Sequence, residues 1–179
     1  MSYIILALLF ILSGFFMKYS DDLFDVNHNL VFASILGVVC GVSSGLAAVY
    51  SNEAAYIFMA IAIGNILALK VDGIHHIITF IIFICILLIC GIPNMSLVIL
   101  LICILAALSD EIGHELIHKF TQNRFLNLFF EYRFVMKIVI LLLAVCGVFN
   151  IWTFVCFILF ELSYLFAELF LKVLIKKRS

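Results

Sequence analysis

At 179 residues, 67% hydrophobic and 12% charged, with one proline, this chain lies far from a soluble domain, in which about half the residues are apolar and about a quarter charged. A formal net charge of −1 gives no electrostatic reason to expect nucleic acid as a partner. The composition predicts an all-α, polytopic transmembrane bundle, folded as a single domain over residues 1–179 of a multi-pass cell-membrane protein.

A helix needs about 20 apolar residues to cross a bilayer, and seven runs approach that length. In chain order they are Tyr3 to Met17, Leu30 to Tyr50, Ala54 to Leu69, Ile77 to Ile92, Met95 to Leu108, Phe134 to Phe149 and Ile151 to Leu171. The first run has neither the basic start nor the small-residue cleavage site of a signal peptide and is expected to be retained. In the second, Gly37, Gly41 and Gly45 recur every four residues and form a flat face that another helix can approach closely. The fourth and fifth join through Gly91, Ile92, Pro93 and Asn94, a turn punctuated by glycine and proline. After the fifth, Ser109 to Phe130 can continue as one helix with an apolar stripe at Ile112, Leu116, Phe120 and Phe125, leaving the membrane and then lying near its surface. The six cysteines all fall inside apolar runs with no Cys-x-x-Cys pair, and buried cysteine packs as a small hydrophobe.

With seven crossings, all ten lysines and arginines (Lys18, Lys70, Lys119, Arg124, Arg133, Lys137, Lys172, Lys176, Lys177 and Arg178) fall on one side. Short loops rich in these residues stay cytoplasmic, so the N-terminus is expected outside and the C-terminus in the cytoplasm. The same side carries the polar motifs.

The first motif puts Asp21, Asp22 and Asp25 within five residues at the end of a run. On a helix these spacings share roughly one face, and convergent carboxylates suit Mg²⁺, which keeps several waters and commonly bridges to a phosphate. The second, Lys70, Asp72, Gly73, His75 and His76, sets a cation, a carboxylate and two imidazoles around a glycine turn, offering a phosphate contact and a further metal ligand. The third runs from Ser109 to Lys119 and can be read in two ways. His114, Glu115 and His118 form an HExxH pattern, in which two imidazoles ligate Zn²⁺ and Glu115 is the general base on a bound water; Asp72, Glu131 or Glu161 would complete the ligand set. Alternatively, Asp110, Gly113 and His114 form an acidic segment paired with the first motif. Arg133 and Lys137 open the sixth run, while Glu161 and Glu168 lie seven apart in the last, a spacing that suits a relay in a metal-ion or proton transporter.

The spacing Asp21, Asp22, Asp25, Asn29 resembles the Asn-Asp-x-x-Asp-x-x-x-Asp motif of the UbiA-superfamily membrane prenyltransferases, and Asp110, Gly113 and His114 resemble their second segment, Asp-x-x-Gly-Asp, with four runs between the two. The resemblance implies a Mg²⁺-dependent enzyme in which Asp21, Asp22, Asp25 and Asp110 are metal ligands, with His114 replacing an aspartate. Lys70, Asp72, Arg133 and Lys137 would then face the substrate, a polyprenyl diphosphate drawn from the lipid phase. The family has nine helices where this chain offers seven. Imidazole is also a poor Mg²⁺ ligand, which turns the His114 position toward zinc or iron.

Overall fold

A computed structural model describes residues 3–27, 29–71 and 73–176, the side chains of 26, 27, 118 and 174–176 excepted. Among the described residues there are eight helices and no strand: α1 (Tyr3–Asn27), α2 (Leu30–Tyr50), α3 (Asn52–Leu67), α4 (Ile74–Cys90), α5 (Leu97–Phe120), α6 (Arg124–Glu131), α7 (Phe134–Val145) and α8 (Ile151–Lys176). Four of them (α1, α2, α5 and α8) are long and apolar enough to cross a membrane, and α3, α4 and α7 are shorter apolar helices. Their outward surfaces are greasy: Ile4, Val31, Ile89, Leu97 and Val145 are 71%, 71%, 83%, 69% and 74% exposed. Apolar side chains laid open on that scale belong against lipid, and the chain has the construction of a helical membrane protein.

The helices cluster into two compact units, one drawn from Met1–Ser51, Asp72–Pro93 and Val155–Ser179, the other from Asn52–Val71 and Asn94–Phe154. In the first unit the glycine stripe of α2 lies against α4. A Cβ on Gly37 would come within 2.8 Å of the His75 carbonyl oxygen and of Thr79 Oγ1, one on Gly41 within 2.6 Å of the Thr79 carbonyl oxygen, and one on Gly45 within 3.0 Å of Ile86. The backbones therefore approach as only glycine permits. Thr79 Oγ1, 2.9 Å from the carbonyl oxygens of both Gly37 and His75, adds a polar contact across the seam. Lipid offers no hydrophobic drive for helices to associate, so close packing of this kind and such interhelical hydrogen bonds supply the association energy.

α1 packs on another side of α2 through small and polar groups. Ser13 donates to Ser43 at 3.0 Å, Ser20 donates to the Ala33 carbonyl at 2.8 Å, and Leu23, Ala33 and Leu36 form a buried cluster with Phe16, Tyr19 and Phe24 around it. α1 also meets α8 where Gly14 lies directly against the Phe160 carbonyl and Ser163.

The second unit is organised around α5. Gly64 of α3 lies against Ala107 and Leu108, Gly113 seats the Phe130 ring of α6, and α7 packs along the same helix. At one end of this unit the Tyr56 hydroxyl accepts from the Ser96 amide just before α5, and Glu53 accepts from the Asn150 amide at 2.9 Å and from the Thr153 hydroxyl, closing the start of α8.

α1 runs on past the apolar stretch that ends at Met17 to Asn27, so the acidic motif forms its last turns, on a helix as its spacing implies. One boundary differs from the sequence-based expectation. The expected single helix from Ser109 to Phe130 is broken at Thr121–Asn123. There the Thr121 hydroxyl accepts from the Asn123 amide at 3.1 Å, and the Asn123 side chain accepts from the Phe125 amide at 2.9 Å, starting α6 afresh. Side chains that bond the local backbone in this way compete with helix continuation.

Gly41→Leu is predicted to drive a branched side chain into the α4 backbone and to destabilise the protein by about 1–3 kcal/mol, the usual cost of overpacking a tight contact. Denaturation in detergent followed by circular dichroism checks this, with Val42→Leu on an exposed position of the same helix expected to leave stability unchanged.

Candidate metal centre

Because α1 runs on past Met17, Asp21 is carried on a helix, and because α4 is pressed onto the glycine stripe, its first turn is fixed beside that helix. The result joins two segments 54 residues apart. Asp21 Oδ1 lies 3.0 Å from His75 Nε2 and 3.0 Å from His76 Nε2. The three side chains present one donor atom each, all within 4.8 Å of one another, and form the one such group of three or more among the described residues. His75 is 3% exposed, while Asp21 and His76 keep side-chain exposures of 24% and 26%, so the group is closed at His75 and open at the other two. The imidazoles stack with centroids 4.1 Å apart, and Phe24 covers His75 from 4.7 Å.

His75 Nδ1 is buried and has no hydrogen-bond partner among the described residues. Gly73 lies against it, so close that a Cβ there would sit 2.5 Å away. With Nε2 protonated and donating to Asp21, Nδ1 carries the lone pair; to hold a metal through Nε2 the ring would need the other tautomer, with its proton on Nδ1. The absence of a side chain at Gly73 leaves the ring room to sit where it does.

The remaining acidic residues of the first motif have different neighbours. Asp22 pairs with Lys18 at 2.9 Å, one helical turn back, and Lys18 also lies over the Tyr164 ring at 5.5 Å. Asp25 is exposed at the end of α1 and lies outside the group of three. Glu168 of α8 pairs with Lys172 at 2.6 Å.

The third motif sits in the second unit, on α5. Asp110 is 2% exposed, and its two carboxylate oxygens accept from the backbone amides of Val135 at 2.9 Å and Met136 at 2.7 Å. It thus caps the start of α7, where free N–H groups and the positive end of the helix dipole favour an anion. Glu111 faces Arg133 Nε at 2.8 Å, and Arg133 itself holds a left-handed backbone (φ 49°, ψ 57°) as the residue before α7. Lys137 donates to the carbonyls of Tyr132 and Arg133. Glu115 pairs with Lys70 at 3.1 Å and His114 is exposed on the same helix. The side chain of His118, and Asp72 entirely, lie outside the described residues, as do His28, Lys177 and Arg178.

Of the residues expected at a site, Asp21 is, among the described residues, the one brought into a ligand cluster. His75 and His76, noted in the sequence as carriers of a further ligand, supply the other two donors. Their signal was the adjacent pair of imidazoles after a glycine turn; what the sequence did not reveal was which carboxylate they would meet. No known protein family, no curated protein and no protein of solved structure matches this chain.

Asp110→Ala is predicted to leave two buried amides without an acceptor and to lower stability by about 1–2 kcal/mol, the range for losing a helix N-cap, with metal binding unchanged. Thermal denaturation with and without added divalent cation checks it. Loss of a bound cation at unaltered stability would mean that Asp110 is a ligand rather than a cap.

Proposed function

We propose that this chain is a multi-pass membrane protein that binds a divalent transition metal through Asp21, His75 and His76. The observation that carries this reading is the single carboxylate oxygen held 3.0 Å from two imidazole nitrogens. In a tetrahedral site with bonds of about 2.0–2.1 Å, donor atoms stand about 3.3 Å apart, so a small outward movement of each side chain accommodates the ion. Two imidazoles and one carboxylate suit Zn²⁺ or Fe²⁺, whereas Mg²⁺ prefers oxygen ligands and water. Three protein ligands leave coordination positions for water or substrate, the arrangement used by catalytic rather than structural metal sites. A bound water would be acidified there and placed at the more open side of the group, beside Asp21 and His76.

This donor set favours a transition metal over the Mg²⁺-dependent transfer of a polyprenyl diphosphate that the aspartate spacing implies. That chemistry needs carboxylates free to converge on hard cations, and here Asp22 has Lys18 beside it and Asp110 caps α7. The HExxH alternative places its general base on Glu115, which is paired with Lys70.

Seven crossings, with the N-terminus outside and the metal group at the cytoplasmic face of the cell membrane, complete the reading. Support comes from each unit separately. In the first, the C-terminal end of α1 meets the start of α4. In the second, the ends of α3 and α5 meet at Lys70–Glu115, α5 meets the start of α7 at Glu111–Arg133, and the starts of α3, α5 and α8 share the opposite end. Within each unit the helices thus alternate up and down with that unit's cations towards one end, the side that stays in the cytoplasm. α7, at 12 residues, is about 18 Å long and needs a locally thinned bilayer or its flanking turns to cross.

Elemental analysis of detergent-purified protein is predicted to find one zinc or iron per chain, lost in Asp21→Ala and His76→Ala and kept in His114→Ala and Glu115→Gln. Loss in His114→Ala with retention in His76→Ala would overturn this assignment in favour of the α5 pattern.

A further inference from the structure

We infer that α6 is a membrane-surface anchor, an eight-residue helix lying in the boundary between lipid headgroups and acyl chains with Phe125 and Leu128 inserted among the lipids. This rests on the helical membrane construction of the chain and is independent of the metal assignment. At 3.6 residues per turn Arg124, Asn127 and Glu131 share one narrow face, and the five remaining residues (Phe125, Leu126, Leu128, Phe129 and Phe130) occupy the rest. The protein covers only one edge of that apolar arc. Phe130 is seated on Gly113 of α5, and Phe129 stacks with Phe134 at the start of α7 with centroids 5.6 Å apart. The other edge is open, with Phe125 72% and Leu128 42% exposed, while Leu126, between the two covered rings, is 38% exposed.

What covers that edge is indicated by what α6 connects. α5 is long and apolar enough to cross a membrane and α7 is a further apolar helix, so the short link between them is held at the level where such helices leave the hydrocarbon. An apolar arc exposed at that level, with a polar strip opposite, is the make-up of a helix lying in the interface. Lys119 at the end of α5 and Arg124 at the start of α6 flank the break with exposed cations, as suits the headgroup layer, where basic side chains meet anionic lipid. The break at Thr121–Asn123 gives the change of direction that a straight continuation of α5 would not allow.

The test uses the full chain in phosphatidylcholine–phosphatidylglycerol vesicles, with Trp152→Phe removing the one native tryptophan. Tryptophan is then placed singly at Phe125, at Leu128 and, on the polar strip, at Glu131. Phe125→Trp and Leu128→Trp are expected to give blue-shifted emission, quenched by lipids brominated near the top of the acyl chain, with iodide quenching several-fold weaker than for Glu131→Trp. The two apolar positions are independent probes, so failure of one variant to reconstitute leaves the other decisive. Iodide access equal to that of Glu131→Trp would overturn the inference. So would shielding that appears only as the protein-to-lipid ratio rises, which would assign the open edge to a second copy of the chain.

Discussion

The close approach of α2 and α4 is the constraint from which the candidate metal centre follows. Gly37, Gly41 and Gly45 leave no side chain between the two helices, and His75 sits on the first of these contacts through its own carbonyl. With bulkier residues there, α4 would stand further from α2 and hence from α1, which packs on α2 through Ser13–Ser43 and Ser20–Ala33. The position of both imidazoles relative to Asp21 is thus set by backbone packing along the seam rather than by attraction within the polar group. This order of causes suits a membrane protein, in which backbone approach and interhelical hydrogen bonds, not the exclusion of water, hold helices together.

The second unit handles its polar residues differently. Its carboxylates are spent largely on the free amides and cations that helix ends present: Asp110 on the start of α7, Glu53 on the start of α8, Glu111 on Arg133 and Glu115 on Lys70. Each of these joins sequence-distant segments, and each neutralises groups that lipid would leave unsatisfied. Arg133 adopts a left-handed backbone in this setting, a conformation that disfavours side-chain-bearing residues by about 1–2 kcal/mol, and Glu111 and the capped start of α7 hold it there.

Much of the helical framework could be read from apolar run length. α2 spans Leu30–Tyr50 as the composition implies, and the four-residue glycine spacing foretold a close helix contact without naming its partner. The end of α1 was less legible because an aspartate-rich stretch is compatible with either a loop or a continued helix; here the chain stays helical and Asn29, just beyond, caps α2 by accepting from Phe32. The break before α6 had a local signal in Thr121 and Asn123 that the apolar stripe outweighed. The ligand group was hidden for a different reason. Asp21 and His75 are brought together by the packing of three helices, and no local pattern encodes that. Asp110 illustrates the converse, since an aspartate placed to cap a helix 25 residues later reads, in sequence, the same as one placed to hold a metal.

Asp21, His75 and His76 together make a candidate site of mixed nitrogen and oxygen donors, half closed by Phe24 and Gly73, on a framework of apolar helices. X-ray absorption at the metal edge of the purified, zinc-loaded protein is the direct test of this donor set. A low-coordinate shell of nitrogen and oxygen at about 2.0–2.1 Å with the multiple-scattering pattern of two imidazoles is expected. A sulfur shell, an all-oxygen shell or the absence of imidazole scattering would contradict it.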